Sequence, residues 1–309
     1  MKITGKTIIG FFIVIIGCFV AGLNIMPVES HGALATVSLI TLLTAMVSFL
    51  FGLITGDYSW TDRLWSTTPV AYAWIYAYGG AWSFSSVVGA LLVTLWGARL
   101  TFNFARRGGY TGGEDYRWPI LRDRIGNPVL WQLFNLLFIA CYQQFLFICF
   151  TVPLYIVASV HSGANSAITA TGVLLALFFL LFETIADQQQ YDFQQAKYGL
   201  RSRDESLEAD YRRGFRTTGL FAISRHPNYL GELGVWWSMF IMSVGHTGVA
   251  IHWSTIGPLL LTLLFIGSTK FTEAITARKY PQYAEYQERV WPIFPKLKRP
   301  GKDAIGESV

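Results

Sequence analysis

The chain has 309 residues, 52% of them hydrophobic and only 14% charged, with a formal net charge of +5. Soluble domains carry about 25% charged residues. The deficit runs along most of the length, which excludes an ordinary soluble protein and points to an all-α, polytopic integral membrane helical bundle. No basic stripe interleaves with exposed aromatics, so nucleic-acid binding is excluded too.

A membrane span needs about 20 predominantly apolar residues. Eight segments qualify in chain order: 7–26, 34–55, 68–80, 82–104, 130–158, 167–189, 229–245 and 250–268. Lys2 and Lys6 precede the first, as in a secretory signal, but that run is long enough to span. The third is short; the alternatives to a crossing of its own are a re-entrant segment or fusion with the fourth as one bent element, giving seven, which would put the N-terminal lysines outside, a worse fit to the charges than eight. The sixth has no breaker before Gly199. A helix over 167–198 would be roughly 48 Å long at 1.5 Å per residue, longer than a ~30 Å hydrocarbon core. The eighth should run on to 279, just before Pro281. Residues 199–218 are charged and polar, as in a cytosolic connector. The whole reads as one domain over 1–300, followed by a frayed tail at 301–309.

Charge orients these segments. With eight spans, the loops near 27–33, 79–81, 159–166 and 246–249 share one side and hold no Lys or Arg. The opposite side holds Lys2, Lys6, Arg63, Arg106, Arg107, Arg117, Arg122, Arg124, the seven basic residues from Lys197 to Arg225, and the basic tail. This is the positive-inside pattern, with both termini cytoplasmic.

The polar-to-apolar transition at 219–232 is the densest functional signal. Arg225, His226, Asn228 and Glu232 fall where a membrane helix meets water, a depth at which polar groups are costly unless engaged. Pro227 predicts a helix start. Asn228 and Glu232 then share a face at i, i+4, with Arg225 and His226 near the positive end of the helix dipole. That pattern suits a nucleotide, with its phosphates at Arg and His and its hydroxyls or amides at Asn and Glu. The plainer reading is an interfacial cap with Arg225 reaching to headgroups.

Three further groupings stand out. Glu183 and Asp187 are i, i+4 at the end of the sixth span, followed by Gln188, Gln189 and Gln190; acidic residues inside a span are functional candidates. Lys270 and Glu273 follow the eighth span, with Tyr283 and Tyr286 on one face beyond Pro281, fit to stack on an adenine or to anchor at the interface. Asp62 lies between spans two and three, where it could meet Arg99 of span four or its neighbour Arg63.

Cys18, Cys141 and Cys149 sit in apolar runs and read as small buried hydrophobes. His31, His161, His246 and His252 read as ordinary polar residues of the outer side, and no metal-ligand spacing is present. There is no dinucleotide glycine fingerprint and no P-loop.

Gly219, Leu220 and Phe221, followed by the run from Arg225 through Pro227, Asn228, Tyr229 and Gly231 to Glu232, resemble the cofactor motif of the membrane sterol reductases and steroid 5α-reductases. Glu273, Arg278, Lys279, Tyr280, Tyr283, Tyr286 and the end from Val290 through Trp291 and Pro292 to Pro295 are similar as well. Ala186 to Phe193 resemble the polar helix end before that superfamily's connector. Asp57, Asp62, Arg63, Leu64 and Trp65 resemble its bacterial branch, which implies an inner-membrane location.

The resemblance implies a helical bundle that holds NADPH on the cytoplasmic side in about 183–295. It further implies hydride delivery to a carbon–carbon double bond of a lipophilic, steroid-like or other enone substrate. Carried over, Asp187, Asn228 and Glu232 match nucleotide-contacting positions. Gln189, Arg225, His226, Tyr229 and Glu273 match other positions of the cofactor part. In the 5α-reductases a Glu–Tyr pair stabilises the developing enolate; here the tyrosine position holds Trp96, three residues before Arg99, and Asp62 is the candidate for the glutamate. S-Adenosylmethionine-dependent methyltransferases of the isoprenylcysteine carboxyl methyltransferase type share the Arg-His-Pro core. Asn228, Glu232, Pro292 and Pro295 favour the reductase version. A non-catalytic lipid-binding protein is the third reading.

Overall fold

A computed structural model describes residues 3–160 and 165–295. Lys2, His161, the basic tail after 295 and the 301–309 segment lie outside the described residues. Among the described residues the chain is all-helical, with no strand. The helices are α1 (Gly5–Ile25), α2 (Val28–His31), α3 (Ala33–Thr55), α4 (Thr68–Gly79), α5 (Phe84–Arg106), α6 (Arg117–Ile125), α7 (Pro128–Phe134), α8 (Gln143–Ser159), α9 (Ser166–Lys197), α10 (Glu208–Arg213), α11 (Pro227–Thr247), α12 (Ile256–Lys279) and α13 (Tyr283–Arg289).

Each of the eight predicted spans contains a helix. Six stretches are long and apolar enough to cross a membrane: Gly5–Ile25, Ala33–Thr55, Phe84–Arg106, Pro128–Ser159, Ser166–Lys197 and Trp253–Lys279. The protein is therefore an integral membrane protein. Its helices turn large apolar side chains outward (Ile13, Leu42, Leu95, Phe178, Leu263), the surface that lipid covers. α4 has 12 residues, too few to span alone. α11 has the length but carries Asn228, Glu232 and His246.

α9 runs unbroken for 32 residues and α12 for 24, as the absence of breakers predicts; they end before Gly199 and Pro281. The third and fourth spans are separate helices rather than one bent element. Ala81 and Trp82 adopt φ of 51° and 59° between them, a left-handed reversal that non-glycine residues adopt only under tertiary constraint. Between α7 and α8, Asn135–Tyr142 is a π-helical stretch, a geometry that recurs at functional places.

The chain divides into two compact units, residues 1–176 with 236–261, and residues 177–235 with 262–309. In the first, α4 packs on α8 and α5, and α1 and α8 pack on α3. The core holds Trp96 edge-on to Trp236 (centroids 4.9 Å apart) and Phe150 against Trp236 (4.2 Å). Buried polar side chains in it find local partners: the hydroxyls of Thr41 and Tyr72 lie 2.7 Å apart, and Trp65 Nε1 donates to Gln143 (2.9 Å).

In the second unit, one cluster gathers Phe193, Ala196, Leu207 and Tyr211, and another gathers Phe215, Tyr283, Tyr286 and Val290. Tyr283 and Tyr286 are thus core residues of the connector and the terminal helix, not an exposed stacking platform. Asp210 ties the connector together: its buried carboxylate accepts from Thr217 N (3.0 Å), Thr217 Oγ1 (2.6 Å) and Thr218 Oγ1 (3.0 Å).

Candidate functional site

Three of the second unit's buried carboxylates lie on α9 and α11. Glu183 and Asp187 on α9 are 3% and 5% exposed, and Glu232 on α11 is 5% exposed. The two helices approach closely because α11 offers glycine: a Cβ at Gly231 would lie 2.5 Å from Glu183 Cβ, and one at Gly234 would collide with Phe179. These two contacts make the pair antiparallel. Their register levels Glu183 with Glu232 and Asp187 with Asn228, one turn along each helix.

Gln189, two residues past Asp187 and so on another face of α9, meets the connector. Its side-chain oxygen accepts from Leu220 N (3.0 Å), and its carbonyl accepts from Arg216 Nη1 (2.8 Å). Gly219 sits over the Gln189 amide with φ of 66°, a left-handed conformation that favours glycine. The Gly219-Leu220-Phe221 signature is thereby explained as the turn that seats the connector on α9.

Arg225, His226 and Glu273 form a second grouping. Arg225 is buried and donates from Nε to Glu273 Oε1 (2.7 Å) and from Nη2 to Oε2 (2.8 Å), a bidentate pair. Its Nη1 donates to the carbonyls of Gln287 (2.9 Å) and Val290. His226 Nε2 lies 2.9 Å from Glu273 Oε1, and Gln287 Nε2 donates to Oε2 (2.9 Å). Backbone bonds lock the same strip: Arg225 N donates to Trp291 O (3.0 Å) and His226 N to Pro292 O (2.9 Å), while Ser224 Oγ donates to Ile293 O (2.7 Å). The terminal Val290-to-Pro295 motif thus supplies carbonyls that hold the start of α11. Tyr229 stacks on His226 (5.1 Å, 19° between planes) and meets Phe265 edge-on at 4.7 Å. Pro227 begins α11 as the sequence predicts.

Asp62 belongs to the first unit. It is not paired with Arg63, whose guanidinium is buried and bonded to Asp57 (2.8 and 3.3 Å), Gly109 O (3.2 Å) and Gly113 O (3.3 Å). The reason is geometric: Asp62 and Arg63 are adjacent in a 3₁₀ turn, whereas Asp57 faces Arg63 across it. Asp62 accepts from Trp118 Nε1 at 2.7 Å and has Arg117 at 3.9 Å. Burial pushes its carboxyl up to about 6, against the opposing pull of Arg117.

Sequence reasoning passed over Asp210, Trp118 and Gln287. Their roles depend on residues 7, 56 and 14 positions away in the chain. No group of three or more His, Cys, Asp or Glu side chains among the described residues could hold a metal ion.

A helical membrane protein whose polar side chains gather at one buried helix pair and its connector is the class these observations define. The chain belongs to the family described as "Protein of unknown function (DUF1295)", whose model matches residues 48–290. It is 35% identical over 274 residues to the "Uncharacterized protein C594.04c" of Schizosaccharomyces pombe, a match covering 82% of this chain and 78% of the relative. No solved structure matches it.

Proposed function

We propose that the chain is an NADPH-dependent oxidoreductase that reduces a carbon–carbon double bond in a lipophilic, steroid-like or other enone substrate. The observation that carries this reading is the strip of Glu183, Asp187, Asn228 and Glu232 levelled across the α9–α11 glycine contact. Carboxylates accept hydrogen bonds and do not donate. Ribose hydroxyls and a nicotinamide carboxamide are donors, so this set fits the sugar and amide ends of a reduced pyridine nucleotide.

Asp187, Glu232 and Gln189 would take those donors, and Asn228 can both donate and accept. Bound there, NADPH would supply a hydride. Arg225, His226, Tyr229 and Glu273 serve as the wall. Arg225 spends its nitrogens on Glu273 and two carbonyls, which makes it a brace for α11 in preference to the phosphate ligand expected from sequence. Asp62, with its carboxyl near neutrality, is the candidate to hold or release a proton at Oδ1, while Trp118 occupies Oδ2. This reading includes eight crossings with both termini cytoplasmic, in a bacterial inner membrane, as the charge asymmetry of the loops and the resemblance favour.

The test is direct. NADPH added to purified protein at a hundredfold excess over Kd should stabilise it by about 2.7 kcal/mol. Asn228→Ala and Glu232→Ala should abolish that thermal shift while leaving expression nearly intact. A shift produced by S-adenosylmethionine instead would turn the assignment to a methyltransferase; no shift with either would overturn both.

A further inference from the structure

In the first unit, α3 turns a polar stripe inward. Thr36, Thr41, Thr44, Ser48 and Thr55 are all buried on this membrane-spanning helix. Hydroxyls in such helices commonly satisfy themselves on their own backbone, one turn back. Ser38, Thr41 and Thr55 do so, donating to Leu34 O (2.8 Å), Val37 O (2.8 Å) and Phe51 O (2.6 Å). Ser48 does not. It is 3% exposed, and its Oγ makes no hydrogen bond among the described residues.

Two contacts set the register of α3 against residues 135–144. Thr44 Oγ1 donates to Gln144 Oε1 at 3.3 Å, and a Cβ at Gly52 would lie 3.4 Å from Asn135 Nδ2. The two strips are therefore antiparallel, and Ser48, midway, falls level with Ala140. Both residues are small and buried. Ala140 belongs to the π-helical stretch Asn135–Tyr142, and Gln144 follows it by one turn. Gln144 is 0% exposed. Thr44 holds its amide oxygen, while its Nε2, with two N–H donors, meets no acceptor among the described residues. Asn135, on the other side of Ser48, is already engaged: Nδ2 donates to Gln132 Oε1 (3.2 Å), whose Nε2 donates to Tyr58 OH (2.9 Å).

We infer that Ser48 Oγ and Gln144 Nε2 jointly bind one water molecule, buried between α3 and the π-helical stretch. Buried polar groups are almost always partnered, and inside a bilayer bulk water cannot reach them. A side chain added for packing would not satisfy either group, because Ser48 and Ala140 face each other with no further polar atom at that level. Water does: its oxygen accepts from the amide N–H, and the same molecule exchanges a hydrogen bond with the serine hydroxyl. Buried waters rest on two to four such partners, whereas apolar sites stay dry. The bound water is then the cross-piece that ties α3 to the stretch leading into α8, at the rung where direct side-chain contact is missing. The site is internal to the first unit and does not depend on the reductase reading.

The experiment uses the full-length protein in phosphatidylcholine nanodiscs and the variants Ser48→Ala, Gln144→Leu and their combination. Gln144→Leu also removes the Thr44 contact, so Ser48→Ala is the deciding single variant: it deletes a hydroxyl that has no partner in the protein. Deleting an unpaired buried hydroxyl leaves the melting temperature unchanged or raises it. Deleting one that holds a water should lower it, by roughly 2 °C or more. The double variant should lose clearly less than the sum of the singles, because both side chains hold the same molecule. Magnetisation transfer from the water line to the ¹⁵N-labelled side-chain amide of Gln144 reads the site directly, and it should be present in the wild type and weakened in Ser48→Ala. A neutral or stabilising Ser48→Ala, additive losses in the double variant, or transfer to that amide from lipid protons in place of water would each overturn the inference.

Discussion

Asp62 lies outside the membrane-spanning helices, and its carboxyl is raised from 3.8 to about 6 chiefly by lost hydration. A raised carboxyl means that the fold favours the protonated acid. Its stabilising contribution is therefore fully present below about pH 4 and is lost as pH rises through about 6. The melting temperature should fall across that window. Asp62→Asn should flatten this part of the profile, because asparagine keeps an oxygen for Trp118 Nε1 and does not ionise. Parallel profiles for the two proteins would remove the shifted carboxyl from the account. Under the reductase reading, the same variant should lower turnover and leave NADPH affinity unchanged, and unchanged turnover would remove Asp62 from the chemistry. The residue identities of this region were legible in the sequence, but their pairing was not. Asp57, Asp62 and Arg63 lie within seven positions, and several pairings satisfy charge. Only the path of the 109–118 segment, which brings Gly109 O, Gly113 O and Trp118 Nε1 into reach, selects Asp57 for Arg63.

At the scale of elements, the antiparallel α9–α11 contact is the device that positions the candidate site. Gly231 is the point of closest approach to Glu183. Gly231→Leu should push the helices apart, at an overpacking cost on the order of 1–3 kcal/mol. It should also abolish NADPH-dependent stabilisation, although the substituted residue carries no hydrogen-bonding group. A variant that keeps full NADPH response would separate the helix contact from the site. The helices themselves were readable from apolar length and breakers: α9 ends at Lys197 and α12 at Lys279, where Gly199 and Pro281 follow. The π-helical stretch at Asn135–Tyr142 contains no glycine or proline that would announce it; at Ala81 and Trp82 the preceding Gly79 and Gly80 mark a turn, but not the left-handed conformation of the two residues that follow.

For the molecule as a whole, the charge asymmetry of the loops makes a topological prediction. Single cysteines placed at Arg107 and Ser202 in a background with the native cysteines replaced should both be labelled by impermeant reagents from the cytoplasmic side, and one at Ser30 only from the opposite side. Labelling of Arg107 and Ser202 from opposite faces would reduce the number of crossings between them to an odd one and overturn the eight-span arrangement. The sequence by itself determined that this is a helical membrane protein, where its long helices start and stop, and that polar residues concentrate near 183–190 and 225–232. Those properties follow from composition and local spacing, which need no knowledge of distant contacts. The tertiary structure decided that Arg225 braces α11 through Glu273, that Tyr283 and Tyr286 pack inside the second unit, and that Ser48 and Gln144 come onto neighbouring rungs of one helix contact. These outcomes rest on which remote carbonyl or carboxylate reaches a given donor first, and that is a property of the folded path, not of the neighbours in the chain.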